Sequence, residues 1–165
     1  MTLGLAQQKI DSDPDAAKAV FAAGFADIVV VPWAPLTLVD GVFSRDEISR
    51  IAAVGTPLAR FVVRVCEATL AFDESVGIAG STHPDSLTAA VLLHPELVAA
   101  SARYAVDVEA DSELSRGYSA MSWGVHGLEP NATVIESVDR LAFLDYLIGL
   151  LGTPTQPPRE FSPPL

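Results

Sequence analysis

The sequence predicts an α/β fold in which helices pack on a small mixed sheet. Capped, apolar-periodic segments recur along the chain, and only a few short runs of β-branched residues lie between them. Half of the 165 residues are apolar, and a chain of this size buries roughly two thirds of its unfolded surface, enough for one core without disulfides. The strands are too sparse for an independent doubly wound sheet.

The elements follow in order. Asp13 caps a first helix with Pro14 at its opening position and Asp15 near its positive end. This helix runs through Val20 and Phe21 and stops at Gly24. Ile28 to Val31 form a buried strand that ends at Pro32. Ser44 caps a short helix with Glu47 at the third position and Ile48, Ile51 and Ala52 on its apolar face, ending near Gly55.

A longer helix starts at Thr56 and Pro57. It places Leu58, Phe61, Val62, Val65, Cys66, Thr69 and Leu70 at helical spacing, with Arg60, Arg64 and Glu67 facing water. Residues 73 to 82 read as a loop. A helix begins around Asp85 and continues to Leu93, where His94 and Pro95 discourage continuation. Tyr104 to Glu109 alternate as a half-buried strand does, Leu114 to Ser122 give a second strand and Ala132 to Val138 a third. Asp139 caps a final helix that runs from Leu141 to Leu151 and ends at Gly152. Residues 1–152 therefore form one domain, and 153–165, with five prolines, a surface-draped or disordered tail.

Ten basic against 21 acidic residues leave a charge of -11, which repels phosphate backbones and argues against a nucleic-acid partner. No apolar run is long enough to span a membrane, and the first fifteen residues lack the pattern of a secretory signal, so a cytoplasmic, non-membrane protein is expected. The single Cys66 excludes an internal disulfide and reads as a buried reduced thiol.

Possible chemistry concentrates at loop-to-helix junctions. His83 can give a proton to a leaving group and Asp85 can hold a hard cation or an attacking water; the plainer reading is that Asp85 caps the next helix. Trp33, just after the first strand, stands where α/β proteins place ligand-facing loops, and it can stack on a base or pack under the loop. Trp123 carries the same two readings. Asp11, Asp13 and Asp15 offer oxygen ligands but equally serve a helix start, and His94 and His126 read as surface histidines. Phosphate loops, paired-cysteine zinc patterns, zinc-protease motifs and nucleophile elbows are absent from the sequence.

The run from Asp13 to Gly24 followed by Ile28 to Pro32 resembles the inosine-uridine-preferring nucleoside hydrolase family. The likeness continues through Glu47 to Phe61, Asp85 to Leu97, Tyr104 to Glu109, Arg116 and Gly117, Asn131, and Asp139 to Leu151. In this register it resembles the carboxy-terminal half only, so a partial nucleoside-hydrolase-like fold is expected.

The resemblance implies calcium-dependent cleavage of the N-glycosidic bond of ribonucleosides in an oligomeric enzyme. It also implies that the family's ribose-contacting Glu and Asn fall on Gln7 and Lys9, and that its late His-Asp pair falls on Pro84 and Asp85, with His83 one place early. The polar motif after the middle strand has become Trp33-Ala34-Pro35-Leu36. Asp85 is thus the expected metal ligand, His83 the catalytic candidate and Trp33 the substrate contact. Weak or absent activity alone is expected, with a homo-oligomer or a separate amino-terminal half as partner. The alternative is a non-catalytic domain that binds a small ligand or another protein.

Overall fold

The computed structural model describes residue 10, residues 12–122, residue 124 and residues 127–154. Gln7, Lys9, Asp11, Trp123, His126 and the proline-rich segment from residue 155 lie outside the described residues.

Helix α1 spans Pro14–Ala22, with the Asp13 carboxylate accepting from the Ala16 amide at 3.0 Å. Gly24, at φ +73°, turns the chain toward strand β1, Val29–Val30. A wide helical turn, Trp33–Thr37, and a short one, Leu38–Asp40, lead to β2, Val42–Phe43. Helix α2, Arg45–Ala53, has the expected capping box between Ser44 and Glu47. Helix α3, Pro57–Ser75, is capped by Thr56 and returns to β3, Ser81–Thr82. Helix α4 spans Pro84–Leu93. A single turn, Pro95–Leu97, precedes β4, Val98–Val108. Strands β5, Ser119–Ser122, and β6, Ala132–Val138, lead into α5, Arg140–Gly152, capped by Asp139.

The main sheet has the order β1-β6-β4-β5. Strands β1 and β6 run parallel, whereas β4 is antiparallel to both β6 and β5, which makes the sheet mixed. Strands β2 and β3 form a separate antiparallel pair. Along β4, Val106 and Val108 are buried while Asp107 between them is exposed, as the two-residue side-chain period requires. The larger core joins Phe43, Ile51, Leu87, Phe143 and Leu144 between the helices, and a smaller one gathers Val30, Val106, Ala132 and Val134 on the sheet. Burying each phenylalanine contributes roughly 1.5–3 kcal/mol, so this inter-helix layer fixes where the helix starts sit.

Several expectations are corrected. The first strand is not wholly buried: β1 is an edge strand, and Val29 is 53% exposed. Helix α3 runs on to Ser75, and what read as a loop contains both its last turn and β3. It buries Ala59, Cys66, Leu70 and Asp73, while Phe61 and Val65 face outward. Leu114 lies in a turn before β5. Among the described residues no helix is long and apolar enough to cross a membrane.

Candidate functional site

The parallel pair β1 and β6 sets the location. Ligands of α/β sheets collect beyond the carboxyl ends of parallel strands, because the loops and helix starts meet there. Beyond β1 lies the Trp33–Thr37 turn, which packs against both β6 and α4. Leu36 and Thr37 anchor it in the core, and the Thr37 hydroxyl donates to the Pro32 carbonyl at 3.1 Å. Asp40 accepts from the Val138 amide at 3.0 Å and ties the same segment to the end of β6. Trp33 itself is half-buried, between its two sequence readings.

The partner element is the start of α4. His83 occupies the cap position but makes no side-chain capping bond, and Asp85 sits exposed in the first turn, so Asp85 is not the helix cap that its sequence context suggested. The His83 amide donates to the Gly41 carbonyl at 2.8 Å, fixing this start against the segment before β2. Its half-buried ring lies 4.6 Å, centroid to centroid, from that of Phe43. Its Nε2 is 3.7 Å from the Cys66 sulfur.

Burial pushes the His83 imidazole down to about 4, with only partial opposition from the charge of Asp73. His83 is therefore neutral at neutral pH and acts there as a hydrogen-bonding group, not as an imidazolium acid. Burial likewise pushes the Cys66 thiol up, opposed by the Ser81 hydroxyl. The two form a thiol and imidazole pair, not the thiolate and imidazolium of a cysteine nucleophile.

Two supporting groups stand behind the site; the sequence left Asp73 unread and showed Glu47 only as a capping residue. Asp73, 2% exposed, accepts from the Thr82 amide at 2.7 Å and from its hydroxyl at 2.9 Å, holding β3 against α3 immediately before His83. The signal was available: Cys66, Leu70 and Asp73 recur on one helical face. Glu47 is the other. It pairs with Arg140 at 2.7 Å, and Arg140 also donates to the Val42 carbonyl at 2.8 Å. Burial opposes its charge, yet hydrogen bonds from Arg140 and Ser44 hold the Glu47 carboxyl at about 2.

A calcium ion takes six to eight oxygen ligands. Among the described residues no three His, Cys, Asp or Glu side chains come together in a group that could hold a metal ion. Asp13 is occupied as a cap and Asp15 pairs with Arg116 at 2.6 Å. The described residues do not by themselves fit calcium; Asp85 supplies one carboxylate at most.

A second concavity lies elsewhere. A groove of about 660 Å³ is lined by Phe21, Val106, Met121, Leu128, Asp107 and Glu129, among others, and neither Trp33, His83 nor Asp85 borders it. Asn131 also lines it, but its side chain is committed internally: Oδ1 accepts from the Val106 amide at 2.7 Å, and Nδ2 donates to the Val106 and Phe21 carbonyls at 2.9 and 3.1 Å.

The family model for inosine-uridine preferring nucleoside hydrolases matches residues 10–145. The chain is 34% identical over 145 residues to the pyrimidine-specific ribonucleoside hydrolase of Escherichia coli O8 and 32% identical to that of Salmonella schwarzengrund. Each alignment takes in 86% of this chain and 45% of the relative, so the chain spans about half the length of the curated relatives it matches. Among solved structures, the plant nucleoside hydrolase PpNRh1 is similar with a TM-score of 0.75 and 22% identity, over 88% of this chain and 47% of that one. The purine-preferring ribonucleoside hydrolase from Gardnerella vaginalis gives 0.72 and 22%, over 87% and 46%. These two likenesses establish the fold.

The restriction of the resemblance to a carboxy-terminal half is thereby corrected. The match takes in nearly the whole chain, from the first described residue into the first half of α5. Its fold, its sequence and its family match agree, and the chain belongs to the inosine-uridine preferring nucleoside hydrolase family.

Proposed function

We propose that this protein handles ribonucleosides as a nucleoside-hydrolase-like component, with weak or no N-glycosidic cleavage when it acts alone. The observation that carries the reading is the packing of the Trp33–Thr37 turn, beyond the carboxyl end of β1, against the helix that starts with His83 and Asp85. Trp33 offers an aromatic face for a base, and neutral His83 offers a hydrogen bond toward the leaving group. Among the described residues Asp85 is the carboxylate that would be given to a calcium ion, the remaining oxygens coming from a second copy or a separately encoded partner. A buried reduced Cys66 suits a cytoplasmic setting.

The relatives' names divide between pyrimidine and purine nucleosides, so the test pairs uridine and cytidine with inosine and guanosine. Release of reducing sugar is measured with and without calcium, for the chain alone and with the product of a neighbouring gene. Sugar release lost in Asp85→Asn and His83→Gln supports the reading. No release under any of these conditions, together with no nucleoside binding by calorimetry, overturns it.

A second reading, a non-catalytic domain that binds a small ligand or another protein, is favoured by the separate groove between α1 and β5. Its apolar wall and two exposed carboxylates, Asp107 and Glu129, suit an apolar, cationic ligand.

A further inference from the structure

We infer that Cys66 is a positioning residue for His83: its thiol donates a hydrogen bond to Nε2 and holds the imidazole in the Nδ1–H form. Cys66 is 1% exposed on the inner face of α3, and its sulfur approaches Nε2 at 3.7 Å, within reach for a thiol donor. Among the described residues this is the side-chain hydrogen bond of His83, whereas Cys66 also has the Ser81 hydroxyl beside it. The nearby Ser81 hydroxyl is fully buried; it acts on the sulfur as a donor, opposing the rise of the thiol, and so leaves the thiol proton to the imidazole, the stronger acceptor.

The direction of the bond follows from donor and acceptor strength. An imidazole nitrogen is a strong acceptor, and a thiol sulfur is a weak one. With a single proton between them, S–H to nitrogen is therefore favoured over N–H to sulfur. The result runs against habit, because neutral imidazole in water prefers the Nε2–H form. The surroundings keep the geometry in place: Phe43 stacks on the ring, the His83 amide is tied to Gly41, and Asp73 clamps Thr82 next to it.

The consequence for chemistry rests on the nucleoside reading: Nδ1–H becomes the donor that the ring offers to an acceptor atom of a base. The tautomer itself does not depend on that reading. Its test is long-range proton–nitrogen NMR on the full-length protein near neutral pH, with the His83 signals assigned by their loss in His83→Gln.

The expected spectrum has Nε2 in the unprotonated, pyridine-like range and Nδ1 in the protonated, pyrrole-like range. In Cys66→Ala the two exchange ranges while circular dichroism stays that of the parent. A wild-type ring already in the Nε2–H form overturns the inference, as does a folded Cys66→Ala protein whose His83 signals do not move. If Cys66→Ala does not fold, the wild-type spectrum decides alone. The expected tautomer without sugar release would leave the positioning role standing and remove only the nucleoside reading.

Discussion

Replacing Asn131 by alanine tests whether this residue serves the fold or a ligand. Its amide makes three hydrogen bonds, two to the backbone of buried Val106 and one to the Phe21 carbonyl at the end of α1. Each is worth about 1 kcal/mol net, and the Val106 groups left behind are shielded from water, so the loss comes to about 3 kcal/mol. For a chain of this length that lowers Tm by roughly 6–12 °C, read by calorimetry or thermal circular dichroism.

Asn131→Asp sharpens the test. The new carboxylate still accepts from the Val106 amide but faces two carbonyl oxygens where an NH₂ group had donated. Its destabilisation should at least match that of alanine near neutral pH and shrink in acid, where a protonated carboxyl donates again. An Asn131→Ala protein within about 0.5 kcal/mol of the parent would refute the structural assignment and leave Asn131 available to a ligand in the groove it lines.

Two further outcomes follow from the same supports. Glu47 has its folded carboxyl at about 2, below an unfolded value of 4.5, so its stabilisation is present above the unfolded value and is lost as pH falls toward the folded one. With partial screening this amounts to roughly 1–3 kcal/mol, and Glu47→Gln should flatten denaturant-measured stability between those two values, an effect absent if the Arg140 pair is idle. At Gly80, φ is +156° and an added Cβ would stand 2.6 Å from the Phe43 carbonyl oxygen, so Gly80→Ala should cost more than about 1 kcal/mol in urea unfolding; a neutral result would mean β2 and β3 separate freely.

The capped helix starts were legible because their signals are local. Asp13, Ser44 with Glu47, Thr56 with Pro57, and Asp139 each satisfy free amides within a turn. What escaped depends on partners distant in sequence. Phe61 and Val65 share helical spacing with Leu58 and Val62, so periodicity could not tell which stripe of α3 meets the core. β3 is two residues long and exists because β2 pairs with it and Asp73 holds it, which no run of β-branched residues announces.

The site was legible in part for the same reason. Trp33, His83 and Asp85 stood out as residue types at junctions, and the packing of the turn against α4 joins the elements that bear them. The contact of His83 with Cys66, seventeen residues away, and the depressed imidazole that follows from burial are tertiary facts. Family membership has its own local signature, since the matching segments occur in order from residue 10 to 145.

The most direct measurement is a nitrogen-resolved NMR titration of the full-length chain with uridine and with inosine, in the presence and absence of calcium. Saturable shifts centred on the Trp33 indole, the His83 ring and the Asp85 amide are expected, with the groove lined by Phe21 and Met121 unmoved. Shifts confined to that groove, or none with either nucleoside, would contradict it.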